Sequence, residues 1–189
     1  IYITPTTLSG ITMNFLMSLA GGLLAGYWVS KGDPFWTYSG GLAGIITASA
    51  GNDLYHPIQS LLIAGVGVWV AYKMHYWVER KFKIDDAVGA VAVHGYAGVV
   101  GLIICGFVLW GYPSSGYGDA YAAINPMGMI IGAIIMFGVL GFLPGYIIAK
   151  ILHASGKLRI PRAVELAGLD YNIMEAAKKD EKAVSSASR

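Results

Sequence analysis

The chain has 189 residues, of which 56% are hydrophobic and 13% are charged, and its formal net charge is +2. Soluble domains carry about 25% charged residues, so the composition indicates a membrane protein. The charge is too small for a nucleic-acid-binding surface, and no basic stripe is interleaved with aromatic residues. Cys105 is the single cysteine, which excludes an intrachain disulfide and a cysteine metal cluster. Because the chain begins at Ile1 without a signal peptide, we expect a fragment or a processed chain.

Five apolar stretches approach or exceed the roughly 20 residues needed to cross a bilayer. They cover residues 8–30, 35–52, 57–78, 87–111 and 126–152. The sequence therefore predicts an all-α, polytopic membrane helical bundle with five transmembrane helices in residues 1–153. A polar tail follows at residues 154–189.

Basic residues are confined to alternate connections between the predicted spans. The thirteen lysines and arginines fall in the loop after the first span, at the end of the third span and in the loop after it, and at the end of the fifth span and after it: Lys31; Lys73, Arg80, Lys81 and Lys83; Lys150, Lys157, Arg159, Arg162, Lys178, Lys179, Lys182 and Arg189. The positive-inside rule places these segments in the cytoplasm. It predicts that the N-terminus and the other two loops face outside.

Small residues recur at a spacing that favours close helix packing in lipid. Four pairs have the GxxxG spacing, which lets helix backbones approach closely: Gly22/Gly26, Gly40/Gly44, Gly128/Gly132 and Gly141/Gly145. Pro144, inside the fifth span, removes one helix hydrogen bond and predicts a kink there.

His94 lies inside the fourth span, eight residues after Asp86. At helical rise it is expected about 12 Å into the helix. A titratable side chain at that depth is costly, so His94 is a functional candidate that faces the bundle interior, a pore or a hydrogen-bond partner. A neutral imidazole donates at one nitrogen and accepts at the other, which suits a proton relay or a small weak base. A structural histidine bonded to a neighbouring helix is the alternative. Gly95 and Gly98 thin the helix beside it.

Asp85 and Asp86 precede the fourth span and are interpreted as N-caps at the positive end of its dipole, with a direct transport role as the alternative. His75 is interpreted as an interfacial residue near the basic loop. No pair of histidines has zinc-site spacing such as HExxH, so no metal site is predicted. No cofactor motif, P-loop, nucleophile elbow or paired acid–base constellation occurs, and the sequence does not favour an enzyme.

Three segments, in order along the chain, carry a family resemblance. They are residues 41–51, Asp85-Asp86 with Val93-His94-Gly95-x-x-Gly98-x-x-Gly101, and residues 158–161 with 165–170. They resemble, in that order, the eighth helix, the tenth helix and the cytoplasmic tail motif of the ammonium transporter family (Amt/Mep/Rh). The resemblance implies that the five spans are helices seven to eleven of an eleven-helix, inverted-repeat transporter. The first six helices would then be a missing N-terminal half, in the same polypeptide or in a separate chain.

The resemblance implies ammonium transport across the plasma membrane by a homotrimer with one hydrophobic pore per subunit. Ammonium would lose its proton on entry, and ammonia would cross a pore lined by His94, the second of two paired pore histidines. Asp85, Asp86, Gly95 and Gly98 would support the pore helix. A non-transporting ammonium sensor or a membrane scaffold subunit of the same fold is the alternative.

The tail carries a second set of matches. Arg159, Glu165, Gly168 and Asp170 correspond to tail positions of the family, whose tails pack on the cytoplasmic face. Many family members are blocked by trimeric PII signalling proteins, so the resemblance implies a PII protein as a possible partner. A merely solvated amphipathic segment is the alternative.

Overall fold

The computed structural model describes residues 7–113 and 123–161, together with 164, 165, 168 and 175. Within these residues all regular structure is helical, apart from one isolated β-bridge between Pro113 and Ala123. The predicted all-α class is therefore confirmed. The chain divides into two compact units, Ile1–Leu140 and Gly141–Arg189.

The helical segments follow the predicted spans in order. The first three helices are α1 Leu8–Ser30, α2 Pro34–Ala48, which ends in a 3₁₀ turn at Ser49–Gly51, and α3 Pro57–Phe82. The fourth helical region consists of a first π segment, Val91–Tyr96, followed by α4 Ala97–Val108. The last consists of α5 Pro126–Ala133, a second π segment, Ile134–Phe142, and α6 Leu143–Ala154. The first helix coincides with the predicted first span. The fourth helical region begins four residues later than its predicted span.

Four helical regions of the described chain are long and apolar enough to cross a membrane: Leu8–Ser30, Pro57–Phe82, Val91–Val108 and Pro126–Ala154. The remaining predicted span is α2, which has 15 residues. Its rise is about 22 Å, which is less than the roughly 30 Å of a bilayer's hydrocarbon core. The five predicted spans therefore correspond to four long helices and the shorter α2.

Glycines bring α1 and α2 into backbone contact, as the sequence predicts. Gly22 and Gly26 lie against the backbone of α2, and Gly40 and Gly44 lie against the backbone of α1. A Cβ added at Gly44 would come within 2.7 Å of both Gly22 Cα and the Ser18 carbonyl oxygen. No side chain fits at this crossing, so the two GxxxG pairs act as the predicted helix-packing sites.

The last helical region differs from its prediction in two respects. Gly132 and Gly145 have no atom of the described residues within 4 Å of an added Cβ, so neither is at a close helix crossing among those residues. The departure from α geometry covers Ile134–Phe142, which ends two residues before Pro144. Pro144 lacks the N–H that would bond the preceding turn, which gives a physical reason for a wider helical segment before it.

A buried threonine joins three helices at the centre of the first unit. Thr47 of α2 is fully buried, and its hydroxyl donates to the Ala43 carbonyl at 2.8 Å. Gly101 of α4 lies against the Thr47 backbone, and Gly67 of α3 lies against its side chain. These contacts fix α4, and with it the segment that carries His94, against α2 and α3.

Asn14 ties α1 to the connection between α2 and α3. Its buried side-chain amide donates to the carbonyl oxygens of Asn52 at 2.8 Å and Tyr55 at 2.7 Å. Burial of the Tyr55 phenol, with Cys105 and Asp53 nearby, raises the pKa of this group above its ordinary value. The connection is thus held by buried polar contacts rather than by a surface turn alone.

Large apolar side chains are exposed on the outer faces of α1 and α3. A groove of about 920 Å³ runs between these helices, and its lining includes Leu24, Trp28, Leu62 and Trp69. Trp28 is 85% exposed and Trp69 is 53% exposed. Surfaces of this kind are covered by lipid or by another protein surface.

Candidate conduction site

The segment that carries His94 begins at a side-chain cap. Gly89 has φ +67°, a left-handed conformation that stops the helix from extending back to Ala87. The Asp86 carboxylate accepts the backbone N–H groups of Val91 at 3.2 Å and Ala92 at 3.0 Å. The capping interpretation therefore applies to Asp86, although its side chain reaches five and six residues ahead.

Because the fourth helical region begins at Val91 rather than Ala87, His94 lies closer to its start than predicted. His94 is the fourth residue of the first π segment, rather than the eighth residue of a helix that starts at Ala87. The expected depth of about 12 Å along the helix is therefore an overestimate. Asp85 is exposed, and it makes none of the hydrogen bonds that hold the start of the segment among the described residues.

His94 opens into a cavity of about 410 Å³ in the first unit. Apolar atoms dominate its walls, which are formed by Ile46, Ser49, Ala50, His94, Gly98, Leu102, Met136 and Phe137. The imidazole is exposed, and within the described part of the chain it has no hydrogen bond or ion pair. The alternative in which His94 is bonded to a neighbouring helix is therefore not found among those residues.

Both π segments contribute to this cavity. His94 comes from Val91–Tyr96, and Met136 with Phe137 come from Ile134–Phe142. Short π segments inside α-helices occur frequently at functional sites; the first segment, with six residues, is of this kind, whereas the second has nine. Their coincidence at one cavity supports a functional interpretation that does not depend on His94 alone.

The three glycines after His94 have different surroundings. A Cβ at Gly95 would lie 3.6 Å from Val91 Cγ1, which is ordinary contact. A Cβ at Gly98 would lie 2.8 Å from Phe137 Cζ, so Gly98 leaves room for that ring in the cavity wall. Gly101 lies against the Thr47 backbone. Gly98 therefore shapes the cavity, whereas Gly101 sets the helix contact.

Sequence reasoning missed the environment of His75. His75 is only 6% exposed, and its ring packs edge-on against Trp36 at 5.1 Å between centroids. Its Nε2 lies 3.3 Å from Glu79 Oε1, and its Nδ1 lies 3.6 Å from Asp86 Oδ2. The interpretation of His75 as an interfacial residue concerns its depth in the membrane and stays a prediction, but it did not include the burial of this side chain. The four-residue spacing to Glu79 is visible in the sequence, but the contact with Asp86 depends on the fold.

Part of the predicted tail site is described. Arg159 Nη2 lies 3.5 Å from Glu165 Oε1, and both side chains are at least half exposed. The Gly168 N–H donates to the Val164 carbonyl at 3.0 Å, and Gly168 has φ +87°. Asp170 lies outside the described residues. The tail thus pairs two of the four residues predicted there.

Among the described residues, no group of three or more His, Cys, Asp or Glu side chains is arranged so that it could hold a metal ion. The chemistry available at the cavity is that of one unpaired imidazole and the Ser49 hydroxyl in apolar surroundings. An imidazole accepts or donates a proton, whereas the apolar walls disfavour a bare cation. The cavity therefore suits a small neutral molecule whose proton is handled separately.

Comparisons with known proteins identify the family of this chain. The sequence pattern of the Ammonium Transporter Family matches residues 3–179. Ammonium transporter Amt1 of Methanocaldococcus jannaschii is 34% identical over 171 residues, which cover 89% of this chain and 41% of the relative. Amt2 of the same organism is 38% identical over 158 residues, covering 82% and 35%. Ammonium transporter 1 member 3 of Solanum lycopersicum is 29% identical over 187 residues, covering 88% and 38%.

The chain spans about two fifths of the length of these curated relatives, from 35% to 41%. The family match covers nearly the whole chain, including both π segments and the start of the tail. The apolar helices are those of a multi-pass membrane protein, and the relatives are transporters rather than enzymes. The chain therefore belongs to the Ammonium Transporter Family.

Proposed function

We propose that this chain forms part of an ammonium transporter and that the His94 cavity is a section of its conduction path. The observation that carries the proposal is an unpaired imidazole that opens into an otherwise apolar cavity between two π segments. A histidine buried only for packing would be bonded to a neighbour. The exposure of this ring instead favours contact with a transported species.

The physical chemistry of the substrate explains the arrangement. Ammonium carries a full charge, and moving an unpaired ion into apolar surroundings costs many kcal/mol. Ammonia is neutral and small, so it crosses such a cavity once ammonium has released its proton. In this proposal His94 accepts or stabilises that proton, and Phe137 with Leu102 keeps the path apolar.

The chain supplies one side of the path. From the family resemblance we propose that its helices are the seventh to eleventh of eleven, so that the first pore histidine and the opposite wall would belong to an N-terminal half. The exposed face of His94 is the surface that this half would cover. The absence of a hydrogen-bond partner for His94 among the described residues fits the assignment, because its proposed partner is the other histidine.

The assembly and its setting follow from the same assignment. We place the protein in the plasma membrane as a homotrimer, with the N-terminus of this chain outside and the tail in the cytoplasm. The distribution of lysine and arginine supports that orientation. The paired Arg159 and Glu165 are proposed contacts for a PII signalling protein, because both side chains are exposed for binding.

Labelled methylammonium uptake tests the proposal in cells that lack other ammonium transporters. The full-length protein is expected to restore uptake, and His94→Leu is expected to abolish charge-coupled uptake. His153→Leu is the matched control, because His153 is also exposed but is not among the residues that line the cavity. Equal uptake by the wild type and His94→Leu would contradict the role of His94.

Absence of uptake by the wild-type protein, with normal expression and membrane insertion, would favour a non-transporting ammonium sensor or scaffold. Ammonium binding without flux would then be the distinguishing result. The two outcomes separate a wrong residue assignment from a wrong function.

A further inference from the structure

His75 occupies a buried position between two carboxylates. Its side chain lies beneath Trp36 and contacts Glu79 through Nε2 at 3.3 Å and Asp86 through Nδ1 at 3.6 Å. Its Nδ1 atom is buried and has no hydrogen-bond partner among the described residues. A buried ring nitrogen without a hydrogen bond, directed at a carboxylate, requires an explanation.

The protonation state of the His75 imidazole explains why its Nδ1 faces a carboxylate. A neutral imidazole has one N–H and one lone pair, so one of its nitrogens would direct a lone pair at a carboxylate in either tautomer. The imidazolium ion donates at both nitrogens and matches both carboxylates. Buried charges in proteins are paired, and here one cation would lie between two anionic groups.

Asp86 connects this cluster to the segment that carries His94. Its Oδ2 faces His75 and also accepts the Ala92 N–H, while its Oδ1 accepts the Val91 N–H. His94 follows Ala92 by two residues. A change in the position of this carboxylate is therefore transmitted to the first turn of the segment that lines the cavity.

We propose that His75, in its protonated form, is a positioning residue that joins Glu79 to Asp86 and thereby holds the cap of the segment carrying His94. The inference rests on the proposed function for its effect on transport, but the cap contacts do not depend on that function. Loss of the proton removes the attraction to Asp86 and loosens the first turn.

The other groups around His75 leave this assignment intact. From α2 it is packed by Trp36, which carries no charge, and on its own helix the Tyr76 ring lies 5.0 Å away. Tyr96, a titratable residue of the first π segment, lies within electrostatic range of Asp86. Among the described residues, the charged groups within 4 Å of the His75 ring are the carboxylates of Glu79 and Asp86.

Hydrogen exchange at the amides of Val91 and Ala92 tests the proposal in the full-length protein in lipid nanodiscs. Imidazole changes charge between about pH 5 and pH 8, so exchange is compared at these limits after correction for intrinsic rates. In the wild type, protection is expected to be roughly ten-fold greater at the lower pH, as for a charge-assisted hydrogen bond. Equal corrected protection at both limits would overturn the proposal.

Three variants make the test specific. His75→Gln is expected to give low protection at both limits, whereas His75→Lys, which retains a cation, is expected to give high protection at both. His153→Gln is the matched control and should keep the wild-type difference. If His75→Gln does not fold, the comparison of His75→Lys with the wild type still decides the matter. Wild-type pH dependence in either His75 variant would refute the role.

Transport provides the second measurement. A merely structural role for His75 would lower the transport rate equally at every pH. The proposal instead predicts that the transport rate of His75→Lys varies less than that of the wild type with the pH of the compartment that faces the C-terminal end of α3. A protein that retains the pH-dependent protection but transports no ammonium would refute the proposed function and leave this inference standing.

Discussion

Replacing Gly101 by alanine should separate α4 from α2. The added Cβ would lie 2.9 Å from both the carbonyl carbon and the Cα of Thr47, and it would collide with the Thr47 carbonyl oxygen. Carbon–carbon contacts are most favourable at about 3.5–4.0 Å, so the backbones must move apart by roughly 0.6–1 Å. Since backbone cannot rotate away as a side chain does, the strain is shared by the whole crossing.

We expect Gly101→Ala to lower the free energy of unfolding by about 1–3 kcal/mol, the usual cost of overpacking. Gly95→Ala is the matched control, because its Cβ would lie 3.6 Å from Val91 Cγ1. Its effect should stay within about 1 kcal/mol, the difference in helix propensity between the two residues. Denaturant unfolding of the full-length protein in detergent measures both values. Equal stability of the two variants would refute the packing assignment.

Three further outcomes are expected. Asn14→Leu leaves two buried carbonyl oxygens without their donor, so its free energy of unfolding should fall by about 1–3 kcal/mol; an unchanged value would contradict this. In Gly98→Ala the added Cβ would press on the outer edge of the Phe137 ring, which can shift, so the free energy of unfolding should change little. Uptake should fall, because this ring lines the proposed conduction path. Uptake equal to that of the wild type would show that this part of the cavity wall does not line the path. Glu165→Gln removes an exposed ion pair with Arg159 and should change stability by less than about 1 kcal/mol, whereas a larger loss would assign the pair a structural role.

The sequence predicts the order of the helices and the bounds of the first one. Thr7 caps α1 and accepts the Gly10 N–H, while Lys31 ends it in a left-handed conformation followed by Gly32. These are local signals at the ends of an apolar run, and they require no knowledge of the neighbours. This explains why the α1 bounds agree with the predicted span.

The start of the fourth helical region could not be predicted from the hydrophobic composition of the sequence. Residues 87–90 are apolar or small, but Gly89 adopts a left-handed conformation and the Asp86 carboxylate caps the chain beyond it. Neither π segment has a distinctive hydrophobic period. The late start and the wider turns therefore arise from the packing of the chain.

The same motif also has different outcomes at different places. GxxxG pairs predict close contact, and the pairs in α1 and α2 make it, whereas Gly132 has no atom of the described residues near an added Cβ. A motif identifies a helix face that permits approach, but the partner surface decides whether approach occurs. For the same reason the sequence identified His94 as a candidate but did not identify its cavity walls, which come from separate segments.

The most direct test of the account measures current and ammonia flux together. Vesicles that contain the full-length protein or His94→Leu receive an ammonium concentration step, and charge movement is recorded alongside the change in internal pH. The account predicts an ammonium-evoked current in the wild type and none in His94→Leu, since the proton can no longer be handled at the cavity. An undiminished current in the variant would contradict the claim that His94 handles the proton of ammonium.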